Sequence, residues 1–262
     1  MRNCLIIAVA VFAIGILASS GYSAIDPGTV VAAWLFEEGA GATAVDSSGN
    51  GNDGAIEGGP GWANGMFGTA LDFDGVDAQI IVPDSPSFEL ENITMAAWIN
   101  VRNYLDDQRI ISQEVDGDPY STYSLMISGA SDTNIEFRIS LDNSRKRIAS
   151  NAEIPLNQWT HVAATYDGAN AVIYINGEID KTEPQSGVLL NNDNPVYIGG
   201  SQFWVPRFID GLMDDAALFN VALTQDDVRS LMNNGLADEI AGPSAVSSAG
   251  KLAAKWAELR SQ

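Results

Sequence analysis

The segment Trp159 to Gly177 constrains the fold of this chain most. It reads W-T-H-V-A-A-T-Y-D-G-A-N-A-V-I-Y-I-N-G. Val162, Ala164 and Tyr166 alternate with Ala163 and Thr165, the period of a half-buried strand. Asp167-Gly168 supplies a tight turn, Val172 and Tyr174 begin a second strand, and Asn176-Gly177 supplies the next turn. Two strand-and-turn units back to back require antiparallel pairing. None of these residue types, in this pattern, offers reactive chemistry, so the segment points to a binding module before it points to an enzyme.

The first residues have the layout of a secretory signal peptide. Arg2 is the one charge, Cys4 to Leu17 is almost purely apolar, and small residues follow to Ala24. The apolar run is short for a membrane span, and an uncleaved membrane anchor is the rival reading. Cleavage after Ala24 and cleavage after Ser20 both fit. The expected organisation is signal peptide 1–24, a globular domain 25–237, and a linker with a short amphipathic helical tail, 238–262. Cys4 is the only cysteine, so the exported chain has no disulfide, which fits a bacterial secreted or envelope protein held by a large core. The formal charge of −21 excludes nucleic acid as a partner, since phosphate binding needs a basic face. Nothing beyond the signal is apolar enough to make an integral membrane protein.

Further strands are expected at 30–36, 70–73, 79–82, 93–101, 109–113, 120–127, 135–141, 145–149, 196–199 and 209–219. Gly39 to Gly61 is rich in Gly, Ser and Asn and reads as loop. Strands at this spacing, separated by turn residues, give an all-β class with a sandwich or barrel architecture. One helix is expected after Thr224. Asp227 three residues on completes a capping box, Val228, Leu231 and Met232 form its apolar side, and Gly235 ends it. In the tail, Leu252, Trp256 and Leu259 recur at helical spacing. That helix would either pack on its own domain or dock on an envelope partner.

Four segments together carry a family resemblance. They are W-L-F-E-E-G-A-G from Trp34 with D-S-S-G-N-G-N-D-G from Asp46, then G-T-A-L-D-F-D-G from Gly68 leading to the strand at Ile93. W-T-H-V-A-A-T-Y-D-G with Y-I-N-G follows, and then I-D-G-L-M-D-D from Ile209 with Leu218-Phe219-Asn220. In this order the chain resembles the bacterial laminin-G-like, concanavalin A-like jelly-roll domains, from Val30 to about Gly235. The resemblance implies two antiparallel sheets stacked face to face, one concave and one convex, with the N-terminal strand close to the strand around Asp214. It also implies glycan or protein-surface ligands, and often calcium. The fold hosts lectins, adhesion modules and polysaccharide enzymes, so it does not by itself fix the activity.

Asp46 to Glu57 has the spacing of an EF-hand loop, with Asp46, Ser48 and Asn50 at alternating positions. Its Gly-rich flanks cannot be the paired helices of that motif. A calcium-bearing loop and a loop closed by its own Asx turns both remain. In the second acidic cluster, strand alternation puts Asp210 and Asp214 on one face and Asp215 on the other. The resemblance makes Asp214 either a calcium ligand or a hydrogen-bond hub. The metal candidates are therefore Asp46, Asn50 and Asp214.

Related β-glucan hydrolases carry two glutamates flanking an aspartate on one strand. Here Glu114-Val115-Asp116-Gly117-Asp118 ends in the shorter acid and is broken by Gly117 and Pro119. It reads as an exposed acidic loop without catalytic function. His161 is the sole histidine, so no multi-histidine zinc site can form.

Sugars stack on aromatic rings. Trp34, Trp98 and Trp159 fall in strand patterns and read as core. Trp204 with Phe203, Tyr120 and Tyr104 fall in apparent loops and are the ligand-binding candidates. Trp204 is the best stacking platform, unless it caps the sandwich end. The reading is a secreted non-catalytic module for carbohydrate or cell-surface ligands, with calcium as its one candidate cofactor. A polysaccharide hydrolase or lyase of the same fold and a structural envelope protein are the alternatives.

Overall fold

The computed structural model describes residues 25–114, 121–129, 131–201 and 207–241. Its strands, in chain order, begin with β1 Val30–Trp34, β2 Thr43–Ala44, β3 Gly54–Glu57, β4 Gly61–Asn64, β5 Thr69–Asp74 and β6 Gln79–Val82. The middle of the chain forms β7 Ile93–Asn103, β8 Gln108–Glu114, β9 Ser121–Gly129, β10 Asp132–Leu141 and β11 Ser144–Glu153. The series ends with β12 Thr160–Tyr166, β13 Asn170–Ile175, β14 Glu178–Pro184, β15 Val196–Ile198 and β16 Asp210–Phe219. Helices α1 Gln225–Asn234 and α2 Leu236–Ile240 follow.

These strands form two eight-stranded antiparallel sheets. One runs β14-β13-β12-β7-β16-β5-β4, with β1 also on β16; the other runs β11-β10-β9-β8-β15-β6-β3-β2. The pairing of β1 with β16 is the expected closeness of the N-terminal strand to Asp214. Between the sheets lies one core. Ile111, Leu125, Phe137 and Ile148 face it from four neighbouring strands of the second sheet, and Ile99, Val162, Ile173 and Met213 face it from the first. Alternation at period two delivers these side chains to one side of each sheet. The Asn176-Gly177 hairpin forms as expected, with φ of 51° and 75° at its two corner residues.

The sequence missed four strands. β2 and β3 lie inside the stretch read as loop, and β4 begins at its end and carries Trp62, which packs half-buried against the core. The fourth, β14, is an edge strand of mostly polar, exposed residues, E-I-D-K-T-E-P. A strand with no buried face carries no alternation to read, and charge on an edge suits it. Trp34 and Trp98 are buried as expected, whereas Trp159 is half-buried just before β12.

The outer side of the first sheet is covered by the helices. Ala163, Ala96, Ala217 and Ala33 sit opposite one another on β12, β7, β16 and β1, an alanine row crossing four strands. Small side chains there let α1 approach closely, and Val228 and Leu231 join the same buried cluster as those alanines. The capping box forms as expected, with Thr224 accepting from the Asp227 N–H and the Asp227 carboxylate accepting from Thr224 N–H. Gly235 ends α1, but the fold does not end there. α2 passes the expected boundary at 237, because Leu236 is buried and Ile240 packs on the same cluster. No helix among the described residues is long and apolar enough to cross a membrane.

His161 lies under this cover, 3% exposed, with its ring edge-on to Trp98 at 5.3 Å. Burial alone pushes the imidazole down to about 3, so it is neutral in the fold, whereas an unfolded histidine takes a proton near 6.5. Its contribution is complete above that value and is lost as pH falls toward 3. The stability advantage of the wild type over His161→Gln should therefore shrink by about 1.4 kcal/mol per pH unit between pH 6 and pH 4. Urea titrations of both proteins measure it. A gap that does not change with pH would mean that the ring is not buried in its neutral form.

Candidate functional site

The second sheet turns a polar side outward. In register across β8, β9, β10 and β11 stand Ser112, Ser124, Arg138 and Arg147. One step along, Arg109, Met126, Glu136 and Ala149 form the next row, and Ser140 faces Arg145. Period-two alternation puts most of these residues on the side opposite the core.

Arg109 is the exception, and a bulge places it there. Arg109 shares parity with Ile111 and Gln113, which face the core side. The pairing shifts between Arg109 and Ile111, so Ile110 is an extra residue against Met126 and Leu125. A bulge of this kind re-aims the side chains before it. It turns Arg109 to the same side as Ser112 and Glu114.

The result is a pocket of about 380 Å³, whose lining includes Arg109, Arg138, Arg145, Arg147 and Arg207. Asp107 and Ser121 also line it. Five of the nine arginines in a chain of net charge −21 meet there. Their carboxylate partners are specific. Arg109 Nε donates to Glu114 Oε1 at 2.8 Å, and both side chains are fully buried. Arg147 reaches both oxygens of Glu136, each at 2.8 Å, and Arg138 pairs with Glu136 and with Asp107 at 3.1 Å. Arg207 Nε lies 3.6 Å from Asp107, beyond good hydrogen-bond length, and is buried without a hydrogen-bond partner.

Burial works to raise the Glu136 carboxyl, but the hydrogen bonds from Arg147 and Arg138 outweigh it and hold it below the usual carboxylate range. For Arg109, burial is the largest influence and pulls its pKa down. Glu114 opposes that, and the positive charges of Arg207 and Arg138 add to it. The guanidinium nonetheless stays charged, as arginine does in proteins. The pocket therefore holds fixed, fork-shaped donors that repel one another.

Glu114 corrects the sequence reading. It is no exposed loop acid. It is 0% exposed at the end of β8 and paired with Arg109, and Asp116 and Asp118 lie outside the described residues. Tyr120, Phe203 and Trp204 also lie outside them. Tyr104 is described, and its hydroxyl donates to the Ile154 carbonyl while its ring packs half-buried on the core. It is an anchor of the loop after β7 and does not line the arginine pocket.

The metal candidates fall in two separate places. Both oxygens of Asp46 receive protein donors: Ala33 N at 2.9 Å and Ser48 N at 2.9 Å on one, Ser48 Oγ at 2.8 Å and Asn52 N at 3.0 Å on the other. Asn50 Nδ2 donates to the carbonyls of Val30 and Val31 at 2.8 and 3.0 Å. These bonds staple the loop onto β1, the Asx-turn role. Asp214 Oδ2 accepts from Phe67 N at 2.9 Å, while its buried Oδ1 has no hydrogen-bond partner. Burial pushes Asp214 up to about 7.

Asp215 does not point away from Asp214, as simple alternation required. The pairing of β16 with β7 shifts between Asp214 and Ala217, and Asp215 has φ of 49°. That bulge turns both carboxylates to the helix side, where Asp215 accepts from Leu236 N at 2.8 Å. Among the described residues no three Asp, Glu, His or Cys side chains gather as a metal-binding group.

None of the five pocket arginines was singled out as a site residue by sequence reasoning. The signal that existed was Arg145-Lys146-Arg147, a basic triplet in a strongly acidic chain whose two arginines share a strand face.

Two large antiparallel sheets around one core, with a helix laid on an outer face, define a lectin-type β-sandwich. The chain belongs to the concanavalin A-like lectin/glucanases superfamily, whose laminin G-type model matches residues 74–229, more than half of its length. Among solved structures it is similar to domain 4 of AbnA, a GH43 extracellular arabinanase from Geobacillus stearothermophilus, in complex with arabinotriose. Identity is 21%, the TM-score 0.64, and the match covers 78% of this chain and 98% of that one. It is also similar to the binding domain of Paraclostridial Mosquitocidal Protein 1, at 16% identity and TM-score 0.63, covering 79% of this chain and 52% of that one. The binding domain of Botulinum neurotoxin DC in complex with rat synaptotagmin II matches at 18% identity and TM-score 0.62, over 80% and 52%. The chain thus spans about half the length of those two toxin domains. At these identities the likeness shows the fold. No curated protein sequence matches.

Proposed function

We propose that this chain is a secreted, non-catalytic binding module that takes a glycan or cell-surface ligand in the arginine-lined pocket of its second sheet. The pocket itself carries the reading. Its volume of about 380 Å³ falls in the range of small-molecule sites, about 300–1,000 Å³. It offers several fixed donors from rigid strands, the arrangement that orients polar ligands. A glycosidase needs a carboxylic acid whose pKa is raised, so that it can give up a proton at neutral pH. Glu136 is held the other way by its two arginines, and Glu114 is tied to Arg109. The similarity to an arabinanase domain seen with arabinotriose and to toxin binding domains supports binding over hydrolysis. Export rests on the N-terminal apolar segment.

A glycan array with the intact exported chain tests this, run with calcium and with EDTA. We expect retention of a subset of oligosaccharides and no release of reducing ends from β-glucan, alginate or arabinan. Steady release of reducing ends would overturn the reading in favour of an enzyme. The same two buffers decide the role of calcium. Native-state binding at a hundredfold excess over its dissociation constant stabilises by about 2.7 kcal/mol, a clear rise in melting temperature. An unchanged melting temperature leaves Asp46, Asn50 and Asp214 with their hydrogen-bonding roles alone.

A further inference from the structure

We infer that the groove between the end of β1, the β4–β5 loop and the α1–α2 junction is a docking site for this chain's own C-terminal segment, Lys251 to Arg260. The groove lies on the first sheet, away from the arginine pocket, and its role does not depend on what that pocket binds.

The groove has a volume of about 360 Å³ and presents two kinds of side chain. Leu35 and Phe67 supply apolar surface, and Glu37, Asp215 and Asp238 supply carboxylates. The Phe67 ring stands edge-on to Trp98 at 6.5 Å. The α1–α2 junction closes against the same ring, since a Cβ on Gly235 would lie 3.2 Å from it. Met66, next in the chain, is 43% exposed. Asp215 is buried and accepts from Leu236 N, whereas Glu37 and Asp238 are exposed and form the acidic rim.

The segment fits that surface in pattern and in charge. At helical spacing, Leu252, Trp256 and Leu259 fall on one stripe. Lys251 and Lys255 flank the stripe on one side and Arg260 flanks it on the other, while Glu258 falls away from it. Three of the 13 lysine and arginine side chains of the whole chain sit in this short stretch. An apolar stripe edged with cations thus meets an apolar floor edged with carboxylates. A helix this short is marginal in water by itself, so it needs a surface on which to bury its stripe.

The chain also delivers the segment to this place. α2 ends at Ile240, and Ala237 and Asp238 of that helix already line the groove. Residues 242–262 lie outside the described residues. Gly242 to Gly250 separates Ala241 from Lys251, a reach of up to about 35 Å. A flexible tether of that length keeps the segment at an effective concentration in the millimolar range. A separate partner offering the same stripe has to match that concentration, so the chain itself occupies the groove first.

Hydrogen exchange on the intact chain tests this. Amides of 251–260 should exchange more slowly than those of 244–250. Trp256→Ala should speed exchange across 251–260 by about tenfold or more, the scale of one buried aromatic side chain. Asp238→Lys should speed it at about 50 mM sodium chloride and have little effect at about 500 mM, where screening has removed the attraction. Asp238 is exposed and outside the core, and an unchanged melting temperature shows that the variant still folds.

Carbodiimide cross-linking, which joins a lysine to a carboxylate in contact with it, locates the segment. Lys251 or Lys255 should couple to Glu37 or Asp238 within one chain, also when isotope-labelled and unlabelled chains are mixed. Couplings only between labelled and unlabelled chains would give the groove to a second copy and overturn the inference. Couplings only to carboxylates elsewhere on the domain would overturn it too. Exchange of 251–260 at the rate of an unstructured peptide would do the same and leave the stripe to a separate partner.

Discussion

Gly199→Ala is expected to cost more than about 4 kcal/mol, because the added methyl group would clash with a core ring on a backbone that cannot move. Gly199 follows β15 with φ of 75°, where an L side chain is already strained. A Cβ built there would lie 2.0 Å from Cε1 and 2.4 Å from Cζ of Phe73. Phe73 is fully buried in the core, so its ring has nowhere to retreat. The backbone cannot yield either. Gly199 N donates to the Ile110 carbonyl at 3.0 Å, and its own carbonyl accepts from Ile209 N at 2.8 Å. Urea unfolding, or loss of soluble protein, measures the effect. The double variant Gly199→Ala/Phe73→Leu should recover part of the loss, because the two residues share one space. A loss below about 1 kcal/mol for the single variant would contradict the close approach of Gly199 to Phe73.

Trp34→Ala should cost about 3–5 kcal/mol, the range for truncating a large core aromatic. Trp34 is fully buried at the end of β1, where it pairs with Ala216 and bridges to Asp46. Its indole N–H donates to the Asn52 carbonyl at 2.9 Å. Removal therefore leaves a cavity and strips a donor from the loop that Asp46 and Asn50 staple to β1. Trp34→Phe keeps most of the volume and loses the donor, so it should cost about 1–3 kcal/mol. Thermal and urea melts of the pair separate packing from hydrogen bonding. Equal losses for Phe and Ala would mean that the indole N–H, and not the ring volume, dominates.

The fold was legible in the sequence wherever a strand has one buried face. Thr160 to Tyr166 and its partner at Ala171 to Ile175 are strands because their apolar residues recur at a period that any local window displays. The Thr224–Asp227 capping box and the Asn176-Gly177 turn are equally local, since their chemistry lies within four residues. β14 escaped because an exposed edge has no such pattern. β3 escaped because its short run, G-A-I-E, buries only part of one side. The second helix escaped because Leu236 is buried by β16 and α1, which the sequence around it does not reveal.

The sequence by itself determined the antiparallel all-β class, the capped helix and the acidic balance, because period, turn chemistry and composition are properties of neighbouring residues. Only the tertiary structure decided where the chemistry lies. Arg109, Arg138, Arg147 and Arg207 come from four separate stretches of chain, and strand register makes neighbours of them. The bulge at Ile110 turns Arg109 away from the core, and the bulge at Asp215 turns a carboxylate toward the helices. Each reverses what alternation alone requires. A one-residue shift in pairing changes the face of every residue beyond it, and that shift is set by contacts between strands far apart in sequence.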